Sequence, residues 1–150
     1  MEQLNSIIYV DMDNVLCDYA EHHAFKKWQQ PTIKWPQSIP GFYQSIPVKA
    51  GATKGFNYLW DLPETEVYIL TAPSILNPHC YMEKRIWVEK YLGMRAVHNL
   101  IISPNKSLLK GEWLIDDMAC GKGQDEFEGE FLHFGSTEYP DWASIVEYFT

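Results

Sequence analysis

Short apolar runs alternate with longer helical segments along most of the chain. Five runs rich in β-branched or aromatic residues have the length of buried strands, at 6–11, 66–71, 98–103, 113–116 and 130–135. Helical segments cover 50–62, 78–92 and 142–149. Because strands that alternate with helices are joined by right-handed crossovers, the pattern predicts an α/β fold with a central parallel five-stranded sheet flanked by helices.

The helix predicted over 78–92 carries signals at both ends. Asn77 is suited to cap it, Pro78 to take its first turn and Gly93 to end it. Its lysines, Lys84 and Lys90, are expected on a polar face that keeps them in water.

The segment 19–46 interrupts the alternation of strands and helices. It contains three prolines and the aromatic residues Phe25, Trp28, Trp35, Phe42 and Tyr43. We interpret it as a small cap insert over the strand ends, so that 1–18 and 47–150 form the core domain. The alternative is a helix with an ordinary loop that covers the edge of the sheet.

The composition of the chain argues against two classes of binding partner, polynucleotides and membranes. A chain of 150 residues that is 46% hydrophobic is long enough for one compact domain with a sizeable core. Its 20 acidic and 12 basic residues give a net charge of −8, which argues against a polynucleotide partner. No run approaches the ~20 apolar residues that span a bilayer, so no membrane partner is expected.

Cysteine use and the first residues bear on the compartment. Cys17, Cys80 and Cys120 have no C-x-x-C spacing, which indicates neither a disulfide framework nor a zinc site. The N-terminus lacks the basic start and cleavage site of a secretory signal. A reducing, cytoplasmic location is the expectation.

Polar residues stand at the carboxyl ends of three predicted strands. Asp11 and Asp13 follow the first strand, Thr71 ends the second, and Asp116 and Asp117 end the fourth. Four carboxylates at one sheet edge would repel each other by several kcal/mol per pair at about 4 Å and an effective dielectric near 20. A divalent cation removes that repulsion, and ligation by oxygen alone favours Mg²⁺.

The Asp-x-Asp spacing suits a two-step phosphoryl transfer. Asp11 can attack phosphorus, while Asp13 protonates the leaving oxygen and then deprotonates the water that hydrolyses the intermediate. The alternative is that acidic residues at strand ends only stabilise the N-termini of the helices that follow.

Groups for the substrate phosphate are expected at the same edge. Thr71 can offer its hydroxyl, and the backbone N–H groups around Ala72 can donate to a phosphate oxygen. Lys106, just beyond the third strand, is favoured over Lys84 and Lys90 as the phosphate cation. The cysteines and histidines are assigned to packing or surface, and 121–129 to an exposed acidic loop.

Four of these motifs together resemble those of the haloacid dehalogenase superfamily. They are Asp-Met-Asp-Asn-Val-Leu-Cys-Asp at 11–18, Leu-Thr-Ala-Pro-Ser at 70–74, Lys106, and Leu-Ile-Asp-Asp at 114–117. More narrowly, the segment 83–93 and the position of Lys106 ten residues before Asp116 resemble the 5'(3')-deoxyribonucleotidases.

The resemblance implies a fold and a set of roles. It implies a core of the haloacid dehalogenase type with Mg²⁺ as cofactor. The implied roles are nucleophile for Asp11, acid/base and backbone-carbonyl metal ligand for Asp13, metal ligand for Asp116, phosphate contacts for Thr71 and Lys106, and supporting carboxylate for Asp117.

Two features depart from the pattern of the resemblance. Asn14 replaces the usual glycine after the second aspartate, but asparagine tolerates a left-handed backbone well enough to keep the turn. The cap insert is short. Phe42 and Tyr43, which follow Gly41, resemble an aromatic platform for a nucleobase, although aromatics in a cap often form its own small core.

The expected function is hydrolysis of deoxyribonucleoside monophosphates through an aspartyl-phosphate, with Mg²⁺ as cofactor. One alternative is a phosphatase of the same chemistry for another small phosphorylated metabolite. Another is a regulatory protein that binds phosphate without turnover, which the presence of Asp13 disfavours. A homodimer is compatible with all three.

Overall fold

The computed structural model describes residues 4–150, so residues 1–3 of the predicted core domain lie outside the described residues. Five parallel strands form one sheet in the order β3-β2-β1-β4-β5. The strands are β1 Ser6–Val10, β2 Thr65–Thr71, β3 Leu100–Ile102, β4 Trp113–Asp116 and β5 Glu130–His133. The predicted α/β fold with a parallel five-stranded sheet is confirmed.

Five α-helices accompany the strands in the described residues. They are α1 Tyr19–His23, α2 Ala52–Trp60, α3 Cys80–Leu92, α4 Met94–His98 and α5 Trp142–Tyr148. The last helix begins with a capping box, in which the Asp141 side chain and the Ser144 side chain each accept the other residue's backbone N–H. Gly93 ends α3 with a φ of +87°, a conformation that favours glycine, as the sequence predicts.

Several predicted boundaries are wrong by two residues or more, and two of them have an identifiable reason. The second long helix begins at Cys80 rather than at 78, because Asn77 turns inward and its amide donates to the carbonyls of Gln37 and Ile39. The strand predicted over 98–103 covers only β3, because α4 occupies 94–98 directly after Gly93.

The register of the sheet brings the polar strand ends together. Val10 in the central strand pairs with Ile69 of β2 on one side and Ile115 of β4 on the other. Asp11 follows Val10, and its backbone N–H donates to the carbonyl of Ile115 at 2.8 Å. Since Asp116 follows Ile115, these two carboxylates lie side by side at the carboxyl edge, where ligands of α/β sheets gather.

The segment 19–46 packs against this edge. It holds α1 and a 3₁₀ turn at Pro36–Ser38, and its buried side chains, such as Trp28 and Phe42, belong to the same hydrophobic cluster as the sheet. The indole of Trp87 in α3 donates to the carbonyl of Ile46 at 2.7 Å and anchors the end of the segment.

Within 4–150, no helix combines the length and the apolar character that crossing a membrane requires.

Candidate active site

A tight turn after β1 presents the two aspartates of the first strand. Asn14 has a φ of +64°, so the expectation that it adopts a left-handed backbone is confirmed. Its side-chain oxygen accepts the N–H of Ala20 at 2.8 Å, and its amide donates to Asp117 at 3.3 Å. The asparagine therefore also ties the turn to the start of α1 and to the end of β4.

Three carboxylates meet at the carboxyl edge. One oxygen from each of Asp11, Asp116 and Asp117 lies within 4.8 Å of the others. Burial, together with the negative charge of Asp11, raises the pKa of Asp116 to about 6 and that of Asp117 to about 8. This donor set fits a hard divalent cation, because buried carboxylates that raise each other's pKa are stabilised as anions by a nearby positive charge.

Lys106 lies against the same carboxylates. Its ammonium nitrogen is 2.7 Å from Asp11 Oδ1 and 2.5 Å from Asp116 Oδ2, and the residue is only 1% exposed. Burial alone would lower the pKa of Lys106, but Asp11 and Asp116 outweigh that effect and raise it. The lysine is thus held as a cation between the proposed nucleophile and a proposed metal ligand.

The structure corrects the interpretation of Lys84. The sequence placed it on a water-facing helix surface, yet it is completely buried. Its Nζ donates to Thr71 Oγ1 at 2.7 Å and to Asp13 Oδ2 at 3.2 Å, and it lies 4.9 Å from the centre of the Tyr43 ring. Lys84 therefore fixes the side chain of Asp13.

A signal for Lys84 exists in the sequence. It stands four residues after Cys80 and four before Val88, both of which are fully buried. Residues spaced by four share one face of a helix, so Lys84 belongs to the apolar face rather than the polar one. A lysine on such a face needs a buried acidic partner.

Thr71 and Ala72 lie at different positions relative to the cavity above the carboxylates. The Thr71 hydroxyl accepts from Lys84, and the residue is fully buried and does not line the cavity above the carboxylates. Ala72 does line that cavity. The hydroxyl keeps its own hydrogen to donate, so the predicted contact between Thr71 and a phosphate stays a prediction, while the structure adds that Thr71 supports Lys84.

A cavity of about 380 Å³ opens above the carboxylates, within the size range of small-molecule sites. Asp13 reaches it with a side chain that is 27% exposed. Its walls combine the charged floor with residues from the insert and the loops: Asp11, Asp13, Asn14, Tyr19, Gln37, Tyr43, Ala72, Pro73, Ser74, Ile75, Leu76, Lys106, Asp116, Asp117, Met118, Lys122 and Gln124.

Phe42 is not part of this cavity. It is fully buried, and its ring centre lies 4.8 Å from His22, 5.2 Å from Tyr43 and 5.3 Å from Trp28. It therefore forms the small core of the insert, the alternative that the sequence left open. Of the two residues predicted as a base platform, the structure brings only Tyr43 to the cavity, together with Tyr19.

The loop at 121–129 is also closer to the site than its composition suggested. Gln124 is 4% exposed, and its amide nitrogen lies 3.5 Å from Asp116 Oδ2. The carbonyl of Lys122 accepts the backbone N–H of Lys106 at 2.7 Å. An acidic and glycine-rich composition gave no signal of these contacts.

Comparison with known proteins identifies the family to which the chain belongs. No family model matches the chain. A protein of Vibrio phage KVP40 is 38% identical over 146 residues, which cover 96% of this chain and 84% of the phage protein. A protein of Bordetella bronchiseptica is 38% identical over 138 residues, and the match covers 74% of this chain and 73% of that protein. The human cytosolic-type 5'(3')-deoxyribonucleotidase is 38% identical over 87 residues, 58% of this chain and 43% of the human protein.

The names of these relatives all indicate one class of enzyme, hydrolases that act on phosphomonoesters. The chain belongs to their family, the 5'(3')-deoxyribonucleotidases. The match to the phage protein covers 96% of this chain, so the aligned sequence includes both the insert and the core.

The contacts of Lys84 predict a defect in chemistry rather than in folding alone. Lys84→Met keeps the length and the apolar stem but removes the ammonium that holds Asp13 and Thr71. We expect kcat for phosphate release to fall at least tenfold, a loss of about 1.4 kcal/mol or more of barrier stabilisation. Lys90→Met, on the exposed face of the same helix, is the control and should stay within twofold. A Lys84→Met enzyme with normal kcat would contradict this role.

Proposed function

We propose that the chain is a magnesium-dependent phosphatase of the haloacid dehalogenase type that hydrolyses deoxyribonucleoside monophosphates through an aspartyl-phosphate. The observation that carries the proposal is the pair of buried lysines, each of which fixes one of the two aspartates of Asp-x-Asp. Lys106 holds Asp11, and Lys84 holds Asp13. Two carboxylates with separate buried cations are suited to two separate roles.

Asp11 acts as the nucleophile in the first step. Lys106 binds its Oδ1 and so fixes the orientation of the carboxylate at the floor of the cavity. A carboxylate oxygen forms a bond to phosphorus as the bond from phosphorus to the sugar oxygen breaks. Lys106 also lies where it can compensate the charge on the phosphoryl group in transfer.

Asp13 moves the proton in both steps. Its carboxyl reaches the cavity, and Lys84 and the Cys17 thiol, 3.5 Å from Oδ1, restrict its rotation. In the first step it gives a proton to the departing sugar oxygen. In the second it takes a proton from water, which attacks phosphorus, breaks the bond to Asp11 and releases inorganic phosphate.

The metal proposal rests on the charge of the site. The carboxylates of Asp11, Asp116 and Asp117 meet beside one buried lysine, Lys106, so when all three are ionised they carry more negative charge than that lysine compensates. We propose that Asp11, Asp116 and the backbone carbonyl of Asp13 hold Mg²⁺, with Asp117 as the supporting carboxylate. A bound Mg²⁺ supplies charge compensation for the carboxylates and the phosphoryl oxygens.

The proposed substrate follows from the walls of the cavity. Ala72, Tyr19 and Tyr43 line the cavity; we expect the backbone N–H groups around Ala72 to donate to the phosphate, and the two tyrosines to offer aromatic surface to a nucleobase. Stacking of a base on an aromatic side chain is worth ~1–3 kcal/mol in single-strand binders. Ile75 and Leu76 present apolar surface, and a 2'-hydroxyl buried there without a partner costs ~1–3 kcal/mol, which favours deoxyribose.

A cytoplasmic location is proposed for this activity. Cys17, Cys80 and Cys120 are all unpaired, which is consistent with a reducing compartment.

A substrate panel with and without metal tests the proposal. Phosphate release from deoxyribo- and ribonucleoside monophosphates and from sugar phosphates should be greatest for the deoxyribonucleotides in Mg²⁺. Exhaustive chelation should abolish it, and added Mg²⁺ should restore it. A panel led by a sugar phosphate would refute the nucleotidase assignment, and full activity after chelation would refute the metal requirement.

The role of Asp13 predicts a dependence on the leaving group. Asp13→Asn should slow the burst of product release from a nucleotide far more than from a nitrophenyl phosphate, because a nitrophenolate leaves without protonation and a sugar alkoxide does not. Rapid-quench measurement of the burst separates this step from hydrolysis of the intermediate. Equal losses for both substrates in the burst would count against Asp13 as the acid.

A further inference from the structure

Lys122 differs from the two lysines already described. It is exposed, it lines the cavity, and it forms no ion pair within the part of the chain that the structure describes. By contrast, Lys84 and Lys106 are buried and occupied by carboxylates. Lys122 is therefore a cavity-lining cation that pairs with no acidic side chain of residues 4–150.

The backbone of Lys122 is held on both sides. Its carbonyl accepts the N–H of Lys106 at 2.7 Å, and its own N–H donates to the side-chain oxygen of Gln124 at 2.7 Å. The turn then continues through Gly123, whose φ is +84°. A Cβ at this position would lie only 2.1 Å from Asn105 Oδ1, so no larger residue fits there. The turn thus packs tightly on the segment that carries Lys106, and the Lys122 side chain extends from a fixed base.

Gln124 connects this turn to the carboxylates. It is 4% exposed, and its amide nitrogen lies 3.5 Å from Asp116 Oδ2, the oxygen that also contacts Lys106. A single buried amide thereby spans the backbone of Lys122 and the floor of the site. The position of Lys122 relative to Asp116 depends on it.

The negative charge of the site indicates a role for the unpaired ammonium of Lys122. An arriving phosphate dianion brings two more negative charges to a floor of carboxylates whose two buried lysines, Lys84 and Lys106, are already paired with them. The protein as a whole carries a net charge of −8, so its general field repels such a substrate. A free ammonium at the cavity wall offsets both effects locally.

We propose that Lys122 is a substrate-binding residue that contacts the phosphate, and that Gln124 is a positioning residue that holds the turn carrying it. The inference rests on the proposed phosphatase function and adds to it a recognition group outside the four motifs. Because the contact is to the phosphate, its loss weakens binding of every phosphomonoester to a similar extent.

The test compares Lys122→Met and Lys122→Arg with wild type, using deoxythymidine 5'-monophosphate and nitrophenyl phosphate. Lys122→Met should raise KM about tenfold for both substrates and leave kcat within about threefold, since a charge-assisted hydrogen bond is lost from binding. Lys122→Arg should restore KM to within about threefold. Lys54→Met, which removes an exposed charge from α2, is the control and should behave as wild type. An unchanged KM, or a rise confined to the nucleotide, would overturn the inference.

A double-mutant cycle tests Gln124. Gln124→Met should raise KM in the wild-type background, but much less in the Lys122→Met background, because the phosphate contact is already lost there. Full additivity would show that Gln124 acts independently of Lys122. Gln124→Asn, a smaller change that withdraws the acceptor from the Lys122 N–H, replaces Gln124→Met if a thermal melt shows that the latter does not fold.

A failure of the proposed phosphatase function can be distinguished from a failure of the Lys122 proposal. If wild type releases phosphate from no phosphomonoester, the phosphatase assignment falls, but calorimetry with inorganic phosphate in Mg²⁺ buffer still decides on Lys122. Weaker binding by Lys122→Met than by Lys54→Met would support the contact, and equal binding would refute it.

Discussion

Compensation of charge at one sheet edge is the constraint on which the rest of this structure depends. The parallel register places Asp11 beside Asp116, and both residues are buried. An unpaired buried carboxylate is costly, and the loss of one partner from a buried pair typically destabilises by ~3–5 kcal/mol. Lys106 therefore stabilises the fold and orients the proposed nucleophile through the same two contacts.

Helix α3 links that edge to the insert. Lys84 points from it to Asp13, and its neighbour Glu83 accepts the backbone N–H of Gly41. Trp87, one turn further on, binds the carbonyl of Ile46. One helix thus fixes the proposed acid/base and both sides of the Phe42–Tyr43 segment. The position of Tyr43 at the cavity wall relative to Asp13 is therefore set by the same helix.

The sequence predicted the sheet and the carboxylates because both depend on local patterns. The strands are short apolar runs, and the aspartates directly follow them. The missed contributions depend on tertiary contacts. The spacing along α3 indicates that Lys84 is buried but does not identify its partners, Asp13 and Thr71. Gln124 lies in a turn that packs on the segment carrying Lys106, which no local pattern indicates. Phe42 and Tyr43 are adjacent and chemically similar, so composition could not distinguish the core residue from the one at the cavity. The roles assigned to these residues stay predictions.

The central claim is that Asp11 carries the phosphoryl group. The most direct measurement is acid quench of the enzyme during turnover of a nucleotide labelled in its phosphate, followed by proteolysis and mass spectrometry. The account predicts label on the peptide that contains Asp11, discharged by a chase with unlabelled substrate and absent from Asp11→Asn, which should also have lost turnover. Turnover with no label on that peptide, or Asp11→Asn activity within tenfold of wild type, would contradict it.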